Sequence, residues 1–413
     1  MGFLILLTGV FGLFTPQTDT TFTDTLHVFN AVDSVYSSKA ITVSYDQSQP
    51  LLSTGHFIPE DRTEKILPSI SDVPEEDNLF FSAFTSIAAG EEKMYPLSAV
   101  VKLFQVRNDT ATSSCSGIMV SPRHVLTAGH CVYRNNELRS PLYAFAGYHQ
   151  NGIENTVLLS RATTYYTTYD VRKQSWSQND IALLELDYNI GDQSGWMGLG
   201  YFSKSDWMQN QLTYTYGYPA TTHPVDTTLV YDGEAMIEGH GFGRLDSNRP
   251  EKILLSTVGT PGQSGSSLFV KDAEHGYFSL GTFSFTSHGI NLSAFQKITA
   301  FNYLAFSHVI ENADPVSIAE EIELARDFRL HQNYPNPFNP TTVIPFELKK
   351  AGEVSLSVYT ITGQKVATLL SNERFTAGYH TTPFNAENIG SGMYLYVLQG
   401  DGFRATEKMI LLK

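Results

Sequence analysis

The chain has 413 residues, more than one ordinary domain needs, and 42% of them are hydrophobic, which excludes a chain that is disordered throughout. Its formal net charge is −15 and it contains no basic run or stripe, so nucleic-acid binding is not indicated. Beyond the first residues, no segment is long and apolar enough to predict a stable membrane span.

The first predicted element is a signal peptide over residues 1–18. Residues Phe3–Phe14 are apolar, and this run is too short to span a bilayer but fits the core of a signal peptide. No Lys or Arg precedes the run, so a misassigned start or a buried strand is the alternative. Export would bring Cys115 and Cys131 into an oxidising compartment, where they can form a disulfide; two free buried thiols are the alternative.

Residues 19–92 are predicted to be a pro-segment that is partly folded at best. This stretch is rich in Thr, Ser and Asp, has little periodicity and contains acidic segments interrupted by proline. The alternative is an N-terminal extension that remains on the mature protein.

The pattern changes over residues 93–313, where short β-like runs alternate with turns and predict an all-β barrel or sandwich. The clearest runs lie at 99–106, 116–121, 124–129, 180–187 and 279–285. Towards the end of this region, Phe301, Leu304, Ala305 and Val309 have helical spacing, which predicts a closing helix packed on the β core.

Residues 314–330 are predicted to be an acidic linker, and residues 331–413 a small C-terminal β-sandwich. Two segments of this last region alternate apolar and polar residues, as strands with one buried face do. Proline cannot donate to a β-ladder, so four prolines indicate a leading segment or an edge strand. They are Pro335, Pro337, Pro340 and Pro345.

Three residue types occur in an order and local setting that indicate nucleophilic catalysis. A serine hydroxyl needs a base to take its proton, and the base needs a carboxylate to fix its tautomer and stabilise its charged form. His130 follows an apolar run in TAGHC, Asp180 begins one in DIALLEL, and Ser264 lies in the glycine-flanked loop GQSGSS. We therefore predict these three residues as catalytic. An α/β-hydrolase would need serine first, in a G-x-S-x-G elbow, which Ser266 interrupts.

The same loop predicts an oxyanion hole. The tetrahedral intermediate of acyl transfer needs backbone N–H donors, and Gly262 lets the backbone approach without a Cβ atom. The N–H groups of Gly262 and Ser264 are the predicted donors. No HExxH motif occurs and the histidines show no ligand spacing, so neither a metal nor a cofactor is predicted.

The three sequence blocks around these residues resemble the trypsin/chymotrypsin family of serine proteases. The resemblance implies a chymotrypsin-like double β-barrel of two six-stranded antiparallel barrels, a Cys115–Cys131 disulfide and protein or peptide substrates. The segments TYGYPA and GQSGS are similar to the bacterial glutamyl endopeptidase branch, in which an amide residue, here Gln263, precedes the nucleophile. The animal enzymes have Asp at that position and pair it with a freed N-terminal amine, so activation must differ here.

The resemblance also locates a specificity pocket, at Val258, Gly259, Phe283, Ser284 and Phe285. Tryptic enzymes have Asp at the position of Val258, whereas glutamyl endopeptidases have His at that of Phe283 and Thr at that of Gly259. These departures favour an apolar or broad preference over Glu or Asp, which stays open because His288 lies nearby. Ser284 resembles the serine that supports the catalytic Asp.

Residues from about 329 to 413 resemble the type A C-terminal sorting domain of type IX secretion substrates, through QNYPNPFNPTT and the terminal KMILLK. The resemblance implies export to the medium or cell surface of a Gram-negative bacterium, with the signal peptide and the type IX machinery as successive routes. A plain β-sandwich binding module is the alternative. For the whole chain, the prediction is a secreted serine endopeptidase, and a catalytically silent surface-binding protein on a protease-like scaffold is the alternative.

Overall fold

A computed structural model describes residues 19–413, apart from 33, 47–50, 73–80, 83, 108–109, 135–136, 149–157, 171–178, 210, 221–235, 288–290, 314–327, 332, 337, 349, 361–363 and 401–402. The predicted signal peptide, most of the predicted linker and His288 lie outside the described residues. Within them, no helix combines the length and the apolar character that crossing a membrane requires.

The chain is built almost entirely from β-strands, as predicted. The N-terminal strands are β1 Asp19–Asn30, β2 Val35–Asp46, β3 Leu51–Ser53 and β4 Thr85–Ser86. The next eight are β5 Val100–Arg107, β6 Thr110–Met119, β7 His124–Thr127, β8 Tyr133–Arg134, β9 Glu137–Leu138, β10 Leu142–Ala146, β11 Leu158–Thr167 and β12 Ala182–Leu186.

A further eight strands and three helices follow before the C-terminal region. The strands are β13 Gly198–Phe202, β14 Leu212–Gly217, β15 Ile237–Phe242, β16 Arg244–Leu245, β17 Lys252–Leu255, β18 Ser267–Asp272, β19 Gly276–Ser287 and β20 Leu292–Lys297. The helices are α1 Gly191–Ser194, α2 Ser205–Gln209 and α3 Ala300–Asn312, and 3-10 turns occur at Ile70–Asp72, Glu91–Lys93, Leu97–Ala99 and Gly129–Cys131.

The first β-sheet closes into a six-stranded barrel. Its strands run in the order β10-β5-β6-β7-β12-β11, and a further pairing of β10 with β11 completes the ring. The apolar runs that predicted these strands supply the interior, where Leu103, Ile118, Leu126 and Leu183 are buried. This barrel carries the segments that contain His130 and Asp180.

The second sheet curls without closing. Its order is β16-β17-β20-β19-β18-β14-β15-β4, with β13 paired in parallel to β19, and no pairing between its two ends occurs in the described part of the chain. Phe278, Leu280 and Phe295 are among the residues of its apolar core. The loop that contains Ser264 leads directly into β18.

The predicted closing helix is confirmed as α3, but its buried face differs from the predicted one. Ala305 and Val309 are buried as expected, whereas Phe301 and Leu304 are partly exposed. The polar Asn302 is fully buried instead, and its side-chain amide donates to Thr168 Oγ1 at 2.5 Å. A spacing pattern that counts only apolar residues cannot find a buried polar anchor of this kind.

The N-terminal segment is more ordered than its composition suggested. β1 and β2 pair over twelve residues, and His27–Asn30 of β1 continue the sheet beyond β11. Further along, β3 pairs with β13 and β4 with β15. Phe81 and Phe84 are buried in the core of the curled sheet. The Thr- and Ser-rich strands β1 and β2 are stabilised by pairing with each other and with β11, which local periodicity does not reveal.

The C-terminal region forms a β-sandwich, as predicted. The strands are β21 Phe328–Leu330, β22 Thr341–Leu348, β23 Gly352–Thr360, β24 Lys365–Phe375, β25 Gly378–Asn385, β26 Gly392–Gly400 and β27 Phe403–Leu411. One sheet has the order β21-β22-β25 and the other β24-β23-β26-β27. Ile344 and Phe346 of the first sheet share a buried core with Leu356 and Tyr396 of the second.

Pro345 lies in the middle strand of its sheet, contrary to the expectation that all four prolines avoid central strands. β22 is flanked by β21 and β25, and Pro345 is opposite Thr381 of β25. On the other side, β21 ends at Leu330, which is opposite Phe346. Pro345 therefore lies just past the end of that ladder, where its carbonyl accepts from the His331 N–H (3.0 Å) and no donor is needed from the proline.

Candidate active site

His130 lies on a short turn directly after β7. The strand ends at Thr127, and a single 3-10 turn follows over Gly129–Cys131. The backbone N–H of His130 donates to Asp180 Oδ1 (2.9 Å), and its ring Nδ1 lies 2.8 Å from Asp180 Oδ2. Because a carboxylate only accepts, these bonds favour the tautomer with the proton on Nδ1, which leaves Nε2 able to take a proton.

A disulfide anchors the histidine turn. Cys131 is bonded to Cys115 on β6, as predicted, and both residues are buried. The two sulfurs and a ring nitrogen of His130 lie within 4.8 Å of one another. Metal binding at cysteine requires thiolates, and sulfurs bonded to each other are not available as such. This cluster is therefore a covalent support for the turn.

Asp180 is buried just before β12 and is surrounded by hydrogen-bond donors. Its side chain is 2% exposed, whereas that of His130 is 17% exposed. Besides the two bonds from His130, the Ser284 hydroxyl donates to Asp180 Oδ2 at 2.6 Å. A buried carboxylate that accepts several hydrogen bonds is held in one orientation. Asp180 can therefore orient the imidazole and stabilise its protonated form.

An irregularity in β19 explains how Ser284 reaches this carboxylate. The pairing of β19 with β20 shifts between Phe283 and Phe285, so Ser284 is the extra residue of a β-bulge. A bulge redirects a side chain that regular alternation would leave on the opposite face. Two residues earlier, the hydroxyl of Thr282 donates to the backbone carbonyl of Asp180 (3.2 Å).

The serine loop is fixed by hydrogen bonds to its backbone. The N–H of Ser116 donates to the carbonyl of Ser264 (2.7 Å), and the Ser116 hydroxyl donates to that of Gly262 (2.9 Å). Gln263 is buried, and its side-chain oxygen accepts from the N–H (2.6 Å) and the hydroxyl (3.1 Å) of Thr260. The amide residue before Ser264 thus braces the loop from within.

Gly262 allows a close backbone approach that no other residue permits. Its φ is +96°, and a Cβ atom there would lie 2.5 Å from the carbonyl oxygen of Tyr218 and 2.6 Å from the nitrogen of Ala220. Within the described residues, the N–H groups of Gly262 and Ser264 donate to no protein acceptor. Two backbone donors beside a half-buried serine form a site that can bind an oxyanion.

The structure joins His130 directly to Asp180 and brings the backbone of Ser264 close to Cys131, the residue after His130. The carbonyl oxygen of Ser264 lies 3.6 Å from the sulfur of Cys131, the residue after His130. In the described part of the chain, no hydrogen bond connects the His130 ring to the Ser264 hydroxyl. Such bonds are often long in free enzymes and tighten when substrate is bound.

Two of the predicted specificity residues, Gly259 and Phe283, lie against each other. The ring of Phe283 packs at 5.3 Å from that of Phe295, and a Cβ atom on Gly259 would lie 2.5 Å from it. The N–H of Gly259 donates to the hydroxyls of Ser293 (2.9 Å) and Thr286 (3.2 Å). Val258 is buried, and Ser284 and Phe285 are half-buried. Gly259 therefore makes room for Phe283.

Two residues near Asp180 were not predicted. Lys252 is fully buried, and its ammonium donates to Gln296 Oε1 at 2.7 Å. The same oxygen accepts the backbone N–H of Asp180 at 3.2 Å. No sequence signal indicates this contact, because Lys252 and Gln296 are 44 residues apart and neither belongs to a motif. A lysine at the start of a short strand usually extends into solvent.

Two family models match the chain. A model described as Trypsin matches residues 89–305, and one described as Secretion system C-terminal sorting domain matches residues 332–412. The first covers more than half of the chain and contains His130, Asp180 and Ser264. The second covers almost all of the C-terminal β-sandwich.

Curated relatives cover parts of the chain. A protein named Glutamyl endopeptidase from Bacillus licheniformis is 25% identical over 175 residues, which are 42% of this chain and 49% of that protein. A protein named Extracellular metalloprotease from Bacillus subtilis is 29% identical over 106 residues, 25% of this chain and 33% of that protein. The chain thus spans about half of the length of the first protein and about a third of the length of the second.

A solved structure of a Glu endopeptidase is also similar to the chain. Its sequence is 18% identical, with a TM-score of 0.44, and the match covers 56% of this chain and 97% of that one.

Proposed function

Because the chain belongs to the trypsin family, we propose that it is a serine endopeptidase that hydrolyses peptide bonds through an acyl-enzyme. The observation that carries the proposal is the double hydrogen bond from the backbone and the ring of His130 to the buried Asp180. A histidine oriented by a carboxylate, beside a glycine-flanked serine, serves nucleophilic catalysis. A silent binding protein would have no need of this arrangement.

The proposed reaction gives each of the predicted site residues one role. Nε2 of His130 removes the proton from the Ser264 hydroxyl as its oxygen attacks the substrate carbonyl. Asp180 stabilises the imidazolium that forms. The N–H groups of Gly262 and Ser264 donate to the developing oxyanion. The imidazolium then gives its proton to the leaving amine, and water, activated by the same histidine, hydrolyses the acyl-enzyme.

A fluorophosphonate probe tests the assignment of the nucleophile. The secreted protein should become labelled, and Ser264→Ala should abolish both labelling and peptide hydrolysis, by a factor on the order of 10⁴ or more in kcat. The matched control is Ser266→Ala, which removes a buried hydroxyl of the same loop that has no hydrogen-bond partner among the described residues. Labelling that persists in Ser264→Ala and disappears in Ser266→Ala would contradict the assignment.

We propose that the enzyme prefers apolar or diverse side chains before the scissile bond. None of the five predicted pocket residues is ionisable, and Phe283 occupies the space beside Gly259. Burial of an apolar substrate side chain against such residues contributes roughly 25 cal/mol of binding free energy per Å² of buried area. Glutamate is the second candidate, since the Bacillus licheniformis relative is named a glutamyl endopeptidase. Dominant cleavage after Glu in a peptide library would exclude the apolar preference.

The location proposed for the enzyme rests on its C-terminal domain. A sorting domain over residues 332–412 indicates secretion or a cell-surface location in a Gram-negative bacterium. We propose that the type IX machinery recognises this domain after the chain has crossed the inner membrane by means of its N-terminal signal peptide.

A further inference from the structure

Lys252 is a buried cation beneath the proposed catalytic pair. It begins β17 and its side chain is 0% exposed. Burying an ammonium group is costly unless its charge is compensated, and lysine is seldom found fully buried for that reason. A neutral apolar residue would extend the adjoining run Ile253–Leu255 more favourably. The position therefore calls for a function beyond packing.

The ammonium of Lys252 is linked to Asp180 through one shared acceptor. Gln296 Oε1 accepts from Lys252 Nζ at 2.7 Å and from the backbone N–H of Asp180 at 3.2 Å. The amide group of Gln296 cannot rotate freely, because its Nε2 donates to the carbonyls of Glu251 (3.2 Å) and Lys297 (3.1 Å). Its oxygen is thus held towards the two donors.

The charges around Lys252 make its ionisation responsive to the catalytic pair. Burial lowers the pKa of Lys252, whereas the negative charges of Asp180 and Glu251 raise it and the positive charge of Arg249 lowers it. Asp180 is the carboxylate that contacts His130. A cation linked to Asp180 through one shared acceptor disfavours a further positive charge nearby, since the interaction passes through buried protein and not through water.

We propose that Lys252 is a positioning residue for the His130–Asp180 pair: through Gln296 it holds the backbone of Asp180 just before β12, and its charge acts on the pair. This inference rests on the proposed protease function. The ring of Phe285, one of the predicted pocket residues, lies 5.8 Å from the ammonium, so the same cation also supports the wall of the pocket.

The pH profile of kcat/KM distinguishes this function from a merely structural one. Lys252→Met keeps the length of the side chain and removes the charge. The pair should then take up a proton more readily. The acid limb of the profile, where kcat/KM falls as the pH is lowered, should move to higher pH by roughly half a pH unit. Looser positioning of Asp180 should reduce kcat about tenfold and leave KM unchanged.

Two further variants complete the test. Gln296→Glu keeps an acceptor next to Lys252 and adds a negative charge, so it should also move the acid limb to higher pH, whether or not Lys252→Met folds. Lys297→Met is the matched control: this lysine is next to Gln296 in sequence, but its ammonium donates to the carbonyl of Phe202 (3.0 Å). It should leave the acid limb in place.

The outcomes separate the inference from the proposed function. Wild-type protein that neither reacts with fluorophosphonate nor cleaves peptides would remove the proposed function, and the inference with it. If the wild type is active and Lys252→Met and Gln296→Glu both keep the wild-type acid limb, the inference alone is wrong. A shift in those two variants that is absent in Lys297→Met supports it.

Discussion

At the residue scale, hydrogen bonds restrict the side chains of the candidate site to few conformations. The Asp180 carboxylate accepts from the backbone and the ring of His130 and from the Ser284 hydroxyl. These bonds hold the carboxylate in one orientation beside the imidazole that we propose as the catalytic base. Since little reorganisation is needed when charge develops, the arrangement favours catalysis electrostatically.

Replacing Gly262 with Ala should inactivate the protein without unfolding it. The added Cβ would lie 2.5 Å from the Tyr218 carbonyl oxygen, at a φ of +96° that alanine rarely adopts. The loop must move, and the loss of one oxyanion donor lowers kcat by about 10²–10³-fold. Steady-state kinetics and a melting curve measure the two effects. Gly352→Ala, where a Cβ meets nothing within 4 Å, is the control and should keep wild-type activity.

The stability of the protein should depend on pH through His124. This residue begins β7 and is buried, and burial, aided by the charge of Arg123, lowers its pKa to about 3. In the unfolded chain the group takes up a proton near pH 6.5. Between these values the unfolded state binds more protons, so the free energy of unfolding falls as the pH is lowered, by up to about 1.4 kcal/mol per pH unit.

Urea unfolding near pH 5 and near pH 7 measures this dependence. His124→Gln removes the titrating group, so its free energy of unfolding should change less between the two conditions than that of the wild type. The control is His275→Gln, at a partly exposed histidine that pairs with Asp272 (2.9 Å). An unchanged dependence in His124→Gln would assign the acid sensitivity to other groups.

The sequence predicts the candidate site only where chemistry demands particular residue types. His130, Asp180 and Ser264 lie in local motifs, and their order in the chain matches one mechanism. Lys252 and Gln296 act through a contact between strands distant in sequence, which leaves no local pattern. Phe283 was predicted as a pocket residue, but its packing against Phe295 depends on the register of β19 and β20.

At the element scale, apolar runs predict the core strands well, whereas the strands without such runs depend on pairing with their neighbours. β5, β7 and β12 were predicted because near-continuous apolar residues form the barrel interior. β1 and β2 were not, since their Thr- and Ser-rich sequences are stabilised by twelve paired residues of a hairpin and by the neighbouring β11. The bulge at Ser284 likewise depends on its partner strand and not on its own sequence.

The segment that precedes the protease region should remain part of the mature fold at least from Leu51 onwards. Phe84 is 4% exposed in the core of the curled sheet, whereas Ile66 of the same segment is 93% exposed. Phe84→Ala should therefore lower the free energy of unfolding of the mature secreted protein by about 3–5 kcal/mol. Ile66→Ala, the matched control, should change it by no more than about 0.5 kcal/mol.

Thermal unfolding and N-terminal sequencing of the same preparation decide between this expectation and removal of the whole predicted pro-segment 19–92. Mature protein that begins near residue 93 and is equally stable in both variants would show that the segment is discarded. The boundary at residue 92 stays a prediction until then.

At the scale of the whole molecule, the chain combines two units with separate cores. The residues of the C-terminal sandwich form their own buried cluster, which includes Phe338, Tyr396 and Met409. The composition shift near residue 330 indicates a boundary there, because a change from acidic to alternating sequence is typical of a new core, and its exact position stays a prediction. The closure of the first sheet and the open second sheet depend on long-range pairing, which composition does not encode.

Removal of residues 329–413 should prevent the protease from leaving the cell. The truncated chain should accumulate in the cell envelope, since the domain similar to secretion sorting domains is missing. Immunoblots of medium, envelope and cytosol follow its location. Full-length Ser264→Ala is the control and should be exported normally, which separates sorting from self-cleavage. Normal export of the truncated chain would leave the sandwich as a binding module.

The Cys115–Cys131 disulfide makes the structure of the candidate site depend on the redox state of the compartment that holds the chain. Cytosolic reductants keep cysteines in the thiol form. In a newly made chain, the turn that contains His130 would therefore lack the disulfide that anchors it to β6. On the proposed export route, we expect the disulfide to form only when the chain reaches an oxidising compartment. If this disulfide is needed to position His130, we expect the enzyme to become fully active only after it has left the cytosol, and the cell that makes it to be protected from its activity.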